Sequence, residues 1–153
     1  MFARSAGGKY MYFDDIRLNT VTDIPPAVID GLKMLDFALE YDNIPLHTDE
    51  EYAKASPFGA LIAPGMMSFM AVWAKYLEVD LWGNELVAGK SSKVEWLAPV
   101  YAGDTLTGKA TVTALTPRNK YNGTVEITIT VKNQHGITVL TNVTEAVVKR
   151  RTE

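Results

Sequence analysis

The sequence predicts an α+β fold, an antiparallel β-sheet curved around a single apolar helix, and two contrasting textures point to it. From Val87 onward, "SSKVEWLAPVYAGD", "TLTGKATVTALT", "GTVEITITVKN" and "TVLTNVTEAVVKR" carry alternating Val, Ile, Thr and Trp, and the "AGD", "PRNKYNG" and "NQHG" segments are turn chemistry. Ahead of them, "SPFGALIAPGMMSFMAVWAKYLEVDLWG" is the most apolar stretch of the chain. After Pro64 it reads as a helix that is hydrophobic nearly all round from Met66 to Leu77. Such a helix must be covered on most sides, inside a core or at an oligomer interface. With 153 residues, 47 % of them hydrophobic, one domain spanning residues 1–153 and built on one core is expected.

The elements follow in order. "FARSAGGK" is small, polar and glycine-bearing, so residues 1–8 are expected to form a flexible tail. "YMYFDDIRLNTV" has the aromatic, partly alternating look of a first strand, which the two prolines of "TDIPPAV" are expected to close. Ile29, Leu32, Leu35, Phe37, Ala38 and Leu39 then roughly follow a helical period, with Asp30 or the preceding turn as the start. That helix ends soon after Asp42, because Pro45 lacks an N–H and pushes Ile44 out of the α region. "HTDEEYAKAS" opens a second short helix, with Thr48 as N-cap, Glu51 in the reciprocal capping-box position and Asp49 and Glu50 in the first turn. In the sheet, Val125, Ile127, Ile129 and Val131 share one face, and Glu126, Thr128 and Thr130 the other.

Composition narrows the chemistry. Fifteen basic side chains stand against 18 acidic ones, which argues against a nucleic-acid partner and for small molecules or further copies of the chain. Cysteine is absent, which removes disulfides, thiolate metal sites and a cysteine nucleophile and agrees with a reducing compartment. Met1 to Gly8 lacks the apolar stretch of a signal peptide, and no segment approaches the roughly 20 apolar residues that span a bilayer. A soluble, cytoplasmic protein is expected.

Asp42 and His47 in "YDNIPLHTDEEYA" supply one group that accepts a proton and another that exchanges it near neutral pH. Taken alone, the spacing favours a capped turn between two helices over an acid and base pair. Gly65 opens the apolar helix, where unpaired N–H groups and the positive end of the dipole collect and a developing negative charge is favoured. Asp104, Asp49 and His135 are explained by turn and first-turn positions, and Trp73, Trp82 and Trp96 by core or interface packing.

The run "FALEYDNIPLHTDEEYAKASPFGALIAPGMMS" resembles the hydratase signature of MaoC-like dehydratases and (R)-specific enoyl-CoA hydratases, which have the hot dog fold. The matching positions are Asp42, Pro45, His47, Asp49, Ala53, Phe58, Gly59, Ala63 and Gly65, and a second block agrees at Pro99, Val100, Gly103 and Asp104. Two positions depart from the family pattern: Ile44 stands where Asn is frequent, and Pro64 where His or Ser is frequent. The resemblance implies a hydratase or dehydratase of enoyl and 3-hydroxyacyl thioesters of coenzyme A. It implies Asp42, His47 and Gly65 as catalytic residues and Pro45, Phe58, Gly59 and Ala63 as substrate-binding ones. It implies no metal, no cofactor besides the coenzyme A of the substrate, and a homodimer joined edge to edge through its sheets. A thioesterase on the same fold and a non-catalytic acyl-thioester binding protein are the competing readings.

Overall fold

The computed structural model describes residues 11–79 and 81–152; the tail expected at residues 1–8 lies outside them. Five strands, β1 (Val21–Val28), β2 (Leu86–Trp96), β3 (Thr105–Pro117), β4 (Asn122–Lys132) and β5 (Thr138–Lys149), pair antiparallel in the order β1-β3-β4-β5-β2. Four helices lie between the first two: α1 (Gly31–Tyr41), α2 (Pro45–Thr48), α3 (Glu50–Ala55) and α4 (Gly65–Glu78).

The alternation in β4 places Val125, Ile127, Ile129 and Val131 in the core, where they face Met67, Phe69, Val72 and Tyr76 of α4 in one cluster. Helix α4 lies chiefly over β1 and β3. Register shifts in β2 and β3, such as that between Val112 and Ala114, are bulges of the kind that bend a sheet. At the other side of the sheet a polar cluster ties β2 to β5. The amide of the fully buried Asn142 donates to Ser92 Oγ (2.8 Å) and to the Lys93 carbonyl (3.0 Å), and its Oδ1 accepts from Thr144 Oγ1 (2.8 Å).

The N-terminal strand falls elsewhere than expected. "YMYFDDIRLNTV" is not that strand: Phe13–Asp15 form a 3-10 turn, and the strand is "VTDIPPAV", with both prolines inside it. The turn wins because its carboxylates have partners. Asp14 accepts from the Arg151 N–H (3.0 Å) and Arg150 Nε (3.1 Å), and Asp15 from Arg151 Nη2 (2.7 Å) and the Tyr12 N–H (3.1 Å). Phe13 packs where Gly123 leaves room for its ring. The prolines are tolerated because β1 is an edge strand with one neighbour, and Pro25 and Pro26 fall in the irregularity between Ile24 and Ala27.

The short helix also differs from expectation. Asp49, with extended φ −116°, divides it into α2 and α3 and caps α3 by accepting from the Tyr52 N–H (3.0 Å). Thr48 instead donates its hydroxyl to the Ile44 carbonyl (3.1 Å), so the cap lies one residue later than its side-chain chemistry suggested.

The Asp14 and Asp15 contacts link the start of the chain to its end and set a pH dependence. The Arg151 N–H and the Arg150 guanidinium hold the Asp14 carboxyl below its usual range, and the Arg151 guanidinium does the same for Asp15. Carboxyls lowered in this way add stability above the unfolded carboxylate range, and the contribution is lost as pH falls through their folded values. The expected outcome is that Asp14→Asn lowers the melting temperature at pH 7 and that the gap to the parent closes as unfolding is followed down to pH 2.5.

Candidate active site

The segment from Asp42 to His47 is shaped by backbone constraints. Asp42 leaves the helical region (φ −153°, ψ 59°) while its N–H still donates to the Ala38 carbonyl (2.9 Å), which closes α1. The Ile44 N–H turns back to the Asp42 carbonyl (2.9 Å), and Ile44 itself is extended (φ −121°, ψ 154°), as a residue before proline must be. Pro45 then starts α2 with its φ already helical. The reversal brings Asp42 Oδ2 to 3.3 Å from His47 Nε2.

The imidazole is buried (6 % exposed), whereas the Asp42 side chain is 43 % exposed. His47 Nδ1 lies 2.8 Å from the Ile62 carbonyl, and since a carbonyl only accepts, Nδ1 carries the hydrogen. In the neutral ring, Nε2 is then an acceptor that faces a carboxylate, also an acceptor. Two acceptors this close call for a hydrogen between them, supplied by a proton or by a water that donates to both. That is the geometry of a proton-exchanging pair with one face open.

The same stretch connects the pair to α4. The Ile62 N–H donates to the Leu46 carbonyl (3.3 Å), Ile62 bridges to Tyr101, and the Ala63 N–H donates to the Val100 carbonyl (2.7 Å). Gly65 follows three residues after Ile62, within about 11 Å along any path the chain can take. Asp30 caps α1 through the Leu32 and Lys33 N–H groups (2.8 and 3.1 Å), and Asp49 caps α3. By contrast, Pro64 offers α4 no side-chain acceptor. The first N–H groups of this 14-residue helix, that of Gly65 foremost, lack an intrahelical acceptor and carry the positive end of its dipole.

The remaining sequence candidates have the following places. Pro45 opens α2. Phe58 and Gly59 lie on the turn after α3, where the Phe58 carbonyl accepts from Tyr101 Oη (2.9 Å) and Gly59 adopts φ +71° with open space on its Cβ side. These contacts tie the turn to the Val100–Tyr101 segment and not to the Asp42–His47 pair. Ala63 is buried in the core. Asp104 accepts from the Tyr101 N–H (2.9 Å) and Gln134 Nε2 (2.8 Å), which accounts for it as a turn residue, and His135 is exposed in the Asn133–Gly136 turn. Trp82 is buried, and Trp73 stacks between Phe69 and Tyr76.

Two participants escape sequence reasoning. The Ile62 carbonyl has no side-chain signature. Trp96, half-exposed at the end of β2, lays its indole over Gly65: a Cβ there would meet Trp96 Nε1 at 2.5 Å and Cδ2 at 2.9 Å, with Cε2 nearer still. Gly65 in a helix was the available signal, since a glycine there marks a close approach. Among the described residues no group of three or more His, Asp or Glu side chains is gathered as a metal site.

Residues 18–146 match the protein family described as the MaoC like domain. An (R)-specific enoyl-CoA hydratase of Rhodospirillum rubrum is 33 % identical over 110 residues, which cover 72 % of this chain and 75 % of that protein. The structure of a monoamine oxidase regulatory protein from Archaeoglobus fulgidus superposes with a TM-score of 0.88 at 31 % identity, covering 94 % of this chain and 97 % of that one. The structure of a MaoC-like dehydratase from Rhodospirillum rubrum gives 0.81 at 27 % identity, covering 94 % and 99 %. With these likenesses, the antiparallel sheet and its central helix are the hot dog fold.

The Trp96 contact yields a direct check. Gly65→Ala is expected to destabilise the protein by about 1–3 kcal/mol, the usual cost of overpacking. In a Trp96→Ala background, where the ring nearest the Cβ site is gone, urea titration should find most of that cost gone.

Proposed function

The chain belongs to the MaoC-like domain family, and on that premise we propose that it is a hydratase that adds water to a 2-enoyl thioester of coenzyme A and, in reverse, dehydrates the 3-hydroxyacyl thioester. The observation that carries this reading is the Asp42–His47 pair, 3.3 Å apart, with the imidazole held on the Ile62 carbonyl three residues ahead of a helix whose first N–H groups have no side-chain cap.

The proposed chemistry joins this geometry to the reaction that the family resemblance implies. A water held between Asp42 Oδ2 and His47 Nε2 loses a proton to the pair as its oxygen bonds to C3. The electrons of the C2–C3 double bond shift toward C2, and charge collects on the thioester oxygen as an enolate. The Gly65 N–H stabilises that oxygen, a contribution of about 3 kcal/mol for a single well-placed donor. The pair then returns a proton to C2, so one water is consumed and no electrons are exchanged with any other group. The family resemblance assigns substrate binding to Pro45, at the turn that forms the pair, and to Phe58, Gly59 and Ala63, on the segment that leads from α3 to α4. The exposed carboxylate and buried imidazole divide the work: Asp42 meets the substrate and His47 is held rigid by Ile62.

Hydration of crotonyl-CoA and longer or branched enoyl-CoAs, followed by loss of the conjugated thioester absorbance, tests the assignment. Asp42→Asn and His47→Gln are each expected to lower kcat by about 10²- to 10⁴-fold, the span of a lost general acid or base. Full activity in both variants, or none in the parent on any enoyl-CoA, defeats the reading. Release of free thiol without hydration would instead identify a thioesterase. Tight enoyl-CoA binding without either reaction would identify a binding protein, a reading favoured only by the half-exposed apolar Ile44 beside the pair.

The reading extends to a homodimer. Among the described residues strand β2 pairs only with β5, at one end of the sheet, and nearly all its residues are exposed. Met66, Met70 and Leu77 make an exposed apolar stripe along α4. Pairing β2 with its counterpart in a second copy would satisfy its outer edge and cover apolar surface together. Sedimentation equilibrium is expected to find twice the chain mass, and a proline at Ser91 to shift it toward the monomer.

A further inference from the structure

Resting on the hydratase reading, we propose that the Trp96 indole N–H is a second hydrogen-bond donor to the thioester oxygen, acting beside the Gly65 N–H. The first ground is proximity. Trp96 Nε1 lies 2.5 Å from the place a Gly65 Cβ would occupy. In any residue the backbone nitrogen is about 2.5 Å from its own Cβ position, so Nε1 lies within about 5 Å of the Gly65 nitrogen. One oxygen accepts from two N–H donors at about 2.9 Å each for any donor separation up to roughly 5.8 Å. The separation therefore allows both donors to share a single oxygen at the start of α4.

The second ground is that both donors are available. Neither the Gly65 N–H nor Trp96 Nε1 finds an acceptor among the described residues. The indole nitrogen is donor only, so an oxygen of the substrate suits it and a cation does not. Trp96 is 52 % exposed whereas Trp82 is 5 % exposed, so of the two only Trp96 is accessible to a ligand from solvent.

The third ground is rigidity. Trp96 pairs with Leu140 across β2 and β5, and the next residue, Leu97, donates its N–H to the Val139 carbonyl (2.8 Å). A donor on an anchored strand costs no reorganisation when charge develops, which is what makes such groups effective. Trp96 gives up no proton; it donates a hydrogen bond that strengthens as the enolate oxygen gains charge. Position 65 serves twice: its backbone N–H is one donor, and the missing Cβ leaves room for the ring that carries the other.

Trp96→Phe keeps a ring over Gly65 and removes only the N–H. For enoyl-CoA hydration we expect this variant to lose about 100-fold in kcat with KM changed less than about threefold, the mark of a donor that acts on developing charge. Circular dichroism and melting temperature should match the parent. The second readout does not depend on turnover: infrared difference spectra of bound butyryl-CoA carrying ¹³C at the thioester carbonyl. The carbonyl stretch should lie below its value in water with the parent protein and move part of the way back with Trp96→Phe. Parent-like kcat and carbonyl frequency in Trp96→Phe would overturn the proposal and leave the hydratase reading intact. A carbonyl shift present with the parent and reduced in Trp96→Phe, in a protein whose parent hydrates no enoyl-CoA, would support the donor and sink the hydratase reading. Failure of butyryl-CoA to bind the parent overturns both.

Discussion

The structure around the candidate site depends on the hydrogen bond between His47 Nδ1 and the Ile62 carbonyl. A buried imidazole without that partner would be free to turn its ring and exchange its tautomer, and the nitrogen now facing Asp42 would lose its defined role. The bond itself contributes about 1 kcal/mol, yet leaving its two groups buried and unpaired would cost about 1–3 kcal/mol. Ile62 holds its place because its own N–H meets Leu46 and the next residue is bound to Val100. Asp104 and Gln134 brace the turn beyond Tyr101. The pair's precision thus comes from the sheet core, through a short extended segment with no catalytic group of its own.

The helices divide into two electrostatic kinds. In α1 and α3 an aspartate carboxylate neutralises the N-terminal N–H groups, and both helices serve to aim the chain. In α4 a proline stands where a cap would be, so the N-terminus of the most buried helix has neither a side-chain cap nor an acidic residue in its first turn. Pro64 has a further merit: it pre-sets the backbone without offering an acceptor that would compete with an incoming oxygen. The departure from the family pattern at this position therefore leaves the Gly65 donor untouched. Ile44 is a different matter, because its side chain is half-exposed beside the pair and presents hydrocarbon where a polar group is frequent.

Much of this was legible in the sequence where the signal is repeated over many residues. The alternation of β4 and the continuous apolar run of α4 each involve many positions that agree, so the sheet, its central helix and their contact could be read directly. The Asp42, Pro45, His47 turn was legible because proline acts on its immediate neighbours. Less was readable where one residue competes with another locally. Asp49 and Thr48 are both good caps, and only the backbone break at Asp49 decides between them. The first strand was misplaced because proline usually ends a strand, while an edge position excuses it, and edge position is a property of the whole sheet. The leucines of α1 mislead in the same way: their spacing is helical, yet Leu32 is 78 % exposed and the buried face is carried by Met34 and Ala38. Of the long-range partners, the Ile62 carbonyl leaves no local trace, and the Trp96 ring only the glycine at position 65 that makes room for it.

The two prolines of β1 have a consequence for how this sheet meets other chains. An antiparallel sheet has two borders, and a chain with both borders open can add copies without limit, as fibres do. Here Pro25 and Pro26 remove two N–H groups from an eight-residue border strand and fall at its irregularity, so that border is a poor template for another strand. The β2 border carries no proline and, among the described residues, pairs on one side only. Growth through strand addition can therefore occur on one side only, and once that side is matched the process terminates. A defect that seems to weaken β1 sets a limit on the size of any assembly built through this sheet.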